Sequence, residues 1–215
     1  MLKAKMPQLR DRLLFMASIV EQMIHNSIKS LVERDEDIAR KVIDEDEPRV
    51  NDLEIEIDEM SINLLALYQP TASDLRTITM VMKINNDLER LGDHAVNIAE
   101  RVILMIGKPP VKPLIDIPRM AEIAVEMVRN SLNSFTNSDP DLASKVRARD
   151  DTVDALRDQI TRELVTYMIS DPPTIERSLK LILITRDLER IADLATNIAE
   201  DVIFMVKGEN IKHSW

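Results

Sequence analysis

Glu89 and Asp93 stand one helical turn apart in the segment DLERLGDHAVNIAERVILM, residues 87–105. Glu189 and Asp193 repeat that spacing in DLERIADLATNIAEDVIFM, residues 187–205. Thirteen of the nineteen positions are identical, and the identities include Asp87/Asp187, Arg90/Arg190, Asn97/Asn197 and Glu100/Glu200. A repeated core needs only its apolar letters to recur; here the polar ones recur too, which points to recognition or chemistry. At about 100° per residue, Leu88, Leu91, Ala95, Ile98, Ala99 and Val102 form a core face. Glu89, Asp93, Asn97 and Glu100 form a separate polar stripe on the exposed side, or one shared with the edge of the preceding helix.

Two carboxylates at i and i+4 repel by a few tenths of a kcal/mol, about 0.2–0.5. Repulsion accepted twice at equivalent positions calls for a compensating cation, and carboxylate oxygens suit hard ions such as Mg, Ca, Mn or Fe. Asp150 and Asp154 offer a second i, i+4 pair, and Glu47 and Asn51 are their counterparts, with an amide as the weaker ligand. If the helices carrying them pack side by side, Glu47, Asn51, Glu89 and Asp93 meet at one site. Asp150, Asp154, Glu189 and Asp193 then meet at a second. The rival reading is a solvated acidic face neutralised by Arg90, Arg101 and Arg190. A ferritin-like di-iron centre is disfavoured because it needs Glu-x-x-His pairs, and His25, His94 and His213 do not supply them. Gly92, matched by Ala192, is read as tight helix packing.

The elements that must hold these residues are helices. With 3 Gly, 3% aromatic and 31% charged residues, the composition favours long helices over sheet. Proline, glycine and Asp/Ser/Asn clusters punctuate six runs, at about 8–33, 35–68, 72–106, 117–136, 140–169 and 173–206, with ends uncertain by about 2–4 residues. Pro7 precedes the first run, and Pro48 kinks the second or starts a new helix. Asp139 is an N-cap with Pro140 at the first helical position, Asp171-Pro172-Pro173 repeats that logic, and Gly107 and Gly208 act as helix stops. Short links imply antiparallel neighbours. The expected architecture is all-α: a tandem of two three-helix bundles, residues 1–108 and 109–215. The duplication covers the second and third helices of each half, whereas the first helices share little.

A formal charge of −10 makes a nucleic-acid partner a poor fit. The absence of Cys excludes disulfides and thiolate metal sites and fits a reducing compartment. No run approaches the roughly 20 apolar residues of a membrane span, and charges at 10–12 argue against a signal peptide; a cytoplasmic protein without a transmembrane segment is expected. The sequence contains neither a nucleophile–base pair nor a Gly-rich phosphate loop, favouring binding over catalysis.

The wording of QPTASDLR at 69–76, DLERLGDHAVNIAE at 87–100, DLERIADLATNIAE at 187–200 and VKGENIKH at 206–213 resembles the PhoU family. That resemblance spans nearly the whole chain. It implies two three-helix bundles and E/D-x-x-x-D metal motifs at Glu89/Asp93, Glu189/Asp193 and Asp150/Asp154. Glu47 and Asn51 hold the remaining corner, where Asn51 departs from the acidic pattern and points to a weaker first site. It also implies bound Fe, Mn, Mg or Zn, a homodimer, and negative regulation of phosphate uptake and phosphate-starvation signalling. The implied partners are the ATPase subunit of the phosphate ABC transporter and a membrane sensor histidine kinase. Alternatives are a phosphatase-like metal enzyme or metal store, an accessory protein of a different phosphate carrier, and a metal-free helical adaptor.

Overall fold

Two aspartates, the expected cap Asp139 and also Asp35, show how the helices begin. Asp35 and Asp139 are N-caps: the carboxylate of each accepts from the backbone N–H groups two and three residues on, at 2.9–3.1 Å. In the computed structural model, which describes residues 2–208 and of Lys3 the backbone alone, helices α1 (Leu2–Glu33), α2 (Glu36–Lys41), α3 (Glu47–Tyr68) and α4 (Ala72–Ile103) form one bundle. Helices α5 (Asp116–Asn137), α6 (Pro140–Arg147), α7 (Asp150–Ser170) and α8 (Ile175–Lys207) form the other. No strand occurs among the described residues. His213 lies outside the described residues.

The expected second run is thus α2 and α3, joined by a π-helical turn at Val42–Asp46. Pro48 lacks an N–H and its ring crowds the carbonyl four residues back. Widening the helix just ahead lets the rod continue, with Pro48 in the first turn of α3. The corresponding rod of the second half breaks at Ala148–Arg149 without a proline. Three expectations are corrected. α1 begins at Leu2 and carries Pro7 inside it. α4 ends at Ile103, before Gly107, and of the glycines only Gly208 takes a positive φ and serves as a left-handed cap. Asp171 makes no side-chain cap bond; a short 3-10 turn at Pro172–Thr174 leads into α8 instead.

Within each bundle the long repeat helix is the hub. α4 packs on α1 and α3, and α8 packs on α5, α6 and α7. The predicted core face of α4, from Leu88 to Val102, is at most 1% exposed. The bundles join along two helix pairs, α1 with α5 and α4 with α8, into one continuous apolar core. α4 and α8 run antiparallel, since Lys83 pairs with Asp201 at one end and Arg101 with Asp187 at the other. Asp187, only 7% exposed, accepts from Arg101 and lies 3.0 Å from Nδ1 of His94. A carboxylate this enclosed is tolerated only with such partners.

The linker is strapped in place. Arg34 donates to the carbonyls of Ile106 and Lys108, Arg177 donates to that of Pro109, and the buried Lys112 ammonium pairs with Glu163.

The first helices also belong to the duplication, contrary to the sequence reading. Ser27 and Ser30 of α1 are fully buried, with their hydroxyls donating to carbonyls three residues back. Ser131 and Ser134 of α5 do the same. In both halves the carbonyl of the second serine then accepts from the N-cap aspartate, Asp35 or Asp139.

Gly92 lies buried on α4. A methyl group there would meet Val50 at 3.5 Å and Met23 at 3.6 Å, ordinary contact distances. Gly92→Ala, which reproduces the Ala192 of the other half, therefore gains helix propensity without a clash. Unfolding monitored by circular dichroism should show stabilisation of up to about 1 kcal/mol; a loss of stability would mean that the helices here cannot accept a Cβ.

Candidate functional site: two acidic clusters

Each acidic cluster sits where α3 lies beside α4, or α7 beside α8. The stripe is less exposed than its polarity suggests: Glu89, Glu189, Asp193, Asp150 and Asp154 are half-buried, while Asp93 is exposed. Apolar neighbours in register, Val50, Leu53 and Ile57 on α3 and Val153, Leu156 and Ile160 on α7, seal the core beneath.

In the first cluster burial raises the Glu89 carboxyl above its ordinary range, and the charges of Asp93 and Glu54 raise it further. Glu89 and Asp93 stand within hydrogen-bonding reach of one another. Glu54 is raised by burial and then by Asp58 and Asp93. Asn51 turns its amide N–H toward Glu47, donating at 2.6 Å, and so acts here as a donor rather than an oxygen ligand. Asn85 donates to Asp58 at 3.1 Å and to the Glu54 carbonyl at 2.9 Å, leaving its own buried Oδ1 without a hydrogen-bond partner. Arg90, whose charge opposes the rise at Glu89, is 3.5 Å from Asp87.

The second cluster is wired differently. Burial pushes Asp150 up to about 6, with Asp193 and Asp154 adding to the rise and a 3.4 Å bond from Thr196 opposing it. Asp193 is raised by burial, against the opposing pull of Arg190, which lies 3.1 Å away. Glu189 accepts from Arg157, whose guanidinium also lies 3.6 Å from Asp154 and 2.8 Å from Asp158. Glu200 is taken by Arg147 of α6 at 3.2 Å.

The structure therefore brings Glu89 with Asp93, and Asp150 with Asp193 and Asp154, into electrostatic contact. Glu47 stays with Asn51, and Glu189 with Arg157. Four oxygens do not converge at either place as the side chains stand. Among the described residues no three His, Cys, Asp or Glu side chains form a group that could hold a metal ion. Crowded like charges turn toward the nearest cation, donor or proton instead. Sequence reasoning missed Glu54, Asp58, Asn85 and Arg157. Counting one turn beyond Asn51 and Asp154 on the same face would have reached Glu54 and Arg157. Of the arginines expected to neutralise the stripe, Arg190 does so, while Arg101 serves the seam between the bundles. His94 serves that seam too.

The fold and these edges define a class: a duplicated three-helix-bundle protein whose long repeat helices present acidic residues beside a neighbouring helix. Among the described residues no helix is long and apolar enough to cross a membrane. The family model for the PhoU domain matches twice, at residues 13–102 and 117–202. A phosphate-specific transport system accessory protein PhoU homolog of Aquifex aeolicus is 43% identical over 97% of this chain and 94% of its own length. The phosphate-specific transport system accessory protein PhoU of Escherichia coli K12 is 32% identical over 98% of this chain and 87% of its own. The crystal structure of PhoU from Pseudomonas aeruginosa superposes with a TM-score of 0.93 at 38% identity, covering 97% of this chain and 100% of that one. This chain belongs to the PhoU family.

The raised Asp150 has a sign that can be tested. It titrates at about 6 in the fold against an ordinary 3.8, so the protonated form is favoured and stability is lost as pH rises through that window. Asp150→Asn removes the cost. With chelator present, its melting temperature should exceed that of the wild type by about 2–4 °C at about pH 7.5, for a screened effect near 1 kcal/mol. The difference should vanish below about pH 3.5, where both carboxyls are neutral. An equal difference at both pH values would remove burial of charge as the cause.

Proposed function

We propose that the chain is a cytoplasmic, non-enzymatic accessory regulator of phosphate transport. In this reading it restrains phosphate uptake and phosphate-starvation signalling by contacting the ATPase subunit of a phosphate ABC transporter and a membrane sensor histidine kinase, and it works as a homodimer. The observation that carries the reading is near full-length kinship, 43% identity across 97% of the chain, with a protein named as a phosphate-specific transport system accessory protein. The net charge of −10 agrees with a protein that meets basic partner surfaces rather than nucleic acid.

The first acidic cluster fits a hard cation by its chemistry. Its donors are all oxygens, the charge of Asp93 raises the proton affinity of both Glu54 and Glu89, and Asn85 carries an orphaned oxygen beside Asp58. Glu54, Glu89 and Asp93, joined by Glu47 or Asn51 after a change of rotamer, would hold Mn, Fe, Mg or Zn. Such an ion would supply the positive charge that lets α3 and α4 keep their acidic edges together. The residues themselves set the helix spacing and the charge presented to a partner.

Two measurements test this. Deleting the gene should raise phosphate uptake and switch on a phosphate-starvation reporter in phosphate-rich medium, and the wild-type gene should restore both; unchanged uptake and reporter would reject the regulatory reading. Protein loaded with Mn²⁺ and desalted should lose bound metal when Glu89 and Asp93 are both replaced by Ala. Elemental analysis showing undiminished Mn would reject the first cluster.

A further inference from the structure

α3 and α7 are related by a shift of 103 residues that superimposes Val50 on Val153, Leu53 on Leu156 and Ile57 on Ile160, all buried. On the same shift Glu47 falls on Asp150, Asn51 on Asp154, and Glu54 on Arg157. The structure agrees with this register in space. Glu54 acts on Glu89 and Asp93 of α4, and Arg157 acts on Glu189 and Asp193 of α8. One position that faces the repeat helix thus carries a negative charge in the first bundle and a positive charge in the second.

We propose that Arg157 is a built-in counter-ion that takes the place of a cation in the second acidic cluster, so that the two repeats are chemically unequal and only the first is open to metal. The contacts of Arg157 support this. Its guanidinium donates to Glu189 and lies 2.8 Å from Asp158 and 3.6 Å from Asp154, so one planar group is shared among three carboxylates on two helices. That fork geometry is what a guanidinium supplies and what a small ion would otherwise replace. Arg190 adds a second positive charge at Asp193, 3.1 Å away. A metal entering here would have to displace Arg157 from Glu189 and leave that cation half-buried beside it, which ordinary Coulomb repulsion opposes. In the first cluster the corresponding place holds the carboxylate Glu54 instead, and the basic residue acting on Glu89 is Arg90 of its own helix, which lies 3.5 Å from Asp87. The inequality runs opposite to the expectation drawn from Asn51, because the deciding residue lies one turn further along the helix.

The inference rests on the metal reading above, yet its test can be read independently. In the full-length chain carrying Glu89→Ala and Asp93→Ala, Mn²⁺ binding measured by the electron-paramagnetic-resonance signal of the free ion should be absent. Adding Arg157→Glu should create a Mn²⁺ site at least about tenfold tighter than any residual binding, and Asp193→Ala should remove it. Arg157→Gln should move in the same direction by less, and Arg157→Lys should keep the site closed. Asp193→Ala in an otherwise wild-type chain should leave the bound Mn²⁺ unchanged. Circular dichroism checks that each variant is folded. Binding to the parent that depends on Asp193, or no gain in either folded Arg157→Glu or folded Arg157→Gln, overturns the proposal. Loss or retention of wild-type Mn²⁺ on removing Glu89 and Asp93 bears only on the first cluster, so the two failures are distinguishable.

Discussion

The antiparallel crossing of α4 and α8 is the constraint from which the rest of the architecture follows. Each of these helices belongs to its own bundle and also forms half of the seam between bundles. Three faces are therefore spoken for: an apolar one inward, a charged one toward the other repeat, and an acidic edge beside α3 or α7. The seam is held by Arg101 and His94 closing on Asp187 and by Lys83 reaching Asp201. A carboxylate that is 7% exposed would cost several kcal/mol if left alone, so these partners set the relative placement of the two helices.

Duplication built the frame, and divergence then worked on its charges. The buried serines of α1 and α5, the aspartate caps that follow them, and the apolar registers of α3/α7 and α4/α8 all recur. Charged positions do not recur in the same way. Arg101 stands where the other repeat has Asp201, His94 where it has Leu194, and Glu54 where it has Arg157. The swap at 101/201 makes the two ends of the seam different: Arg101 meets Asp187, whereas Asp201 meets Lys83. The swap at 54/157 reverses the charge at a position that faces the repeat helix.

Several features were legible before any coordinates. The 3.6-residue periodicity of α4 marked its core face, and the buried Leu88, Leu91, Ala95, Ile98, Ala99 and Val102 match it. Asp139 followed by Pro140 reads as a helix start and is one. The relation between α1 and α5 was also written in the letters, as NSIKS and NSLNS ahead of their aspartate caps, but its buried serines were hidden among a changed apolar pattern. Pro48 was ambiguous, because a kink, a new helix or a π turn can each absorb a proline, and neighbouring packing selects among them. The acidic pairs were legible as spacing. Their partners were not, because Glu54, Arg157 and Asn85 act across helices.

By itself the chain's order of residues determined that it is helical, that it is duplicated, and which face of each long helix is apolar, since local propensity and periodicity need only near neighbours. Tertiary structure decided who answers the charges that pair across helices. Asp187 could have been a ligand, a solvated acid or a bridge; it became a bridge because the crossing brings Arg101 and His94 to it. Glu189 is answered by Arg157 for the same reason: Coulomb interactions depend on distance through space, and a helix register shows only the distances along one rod.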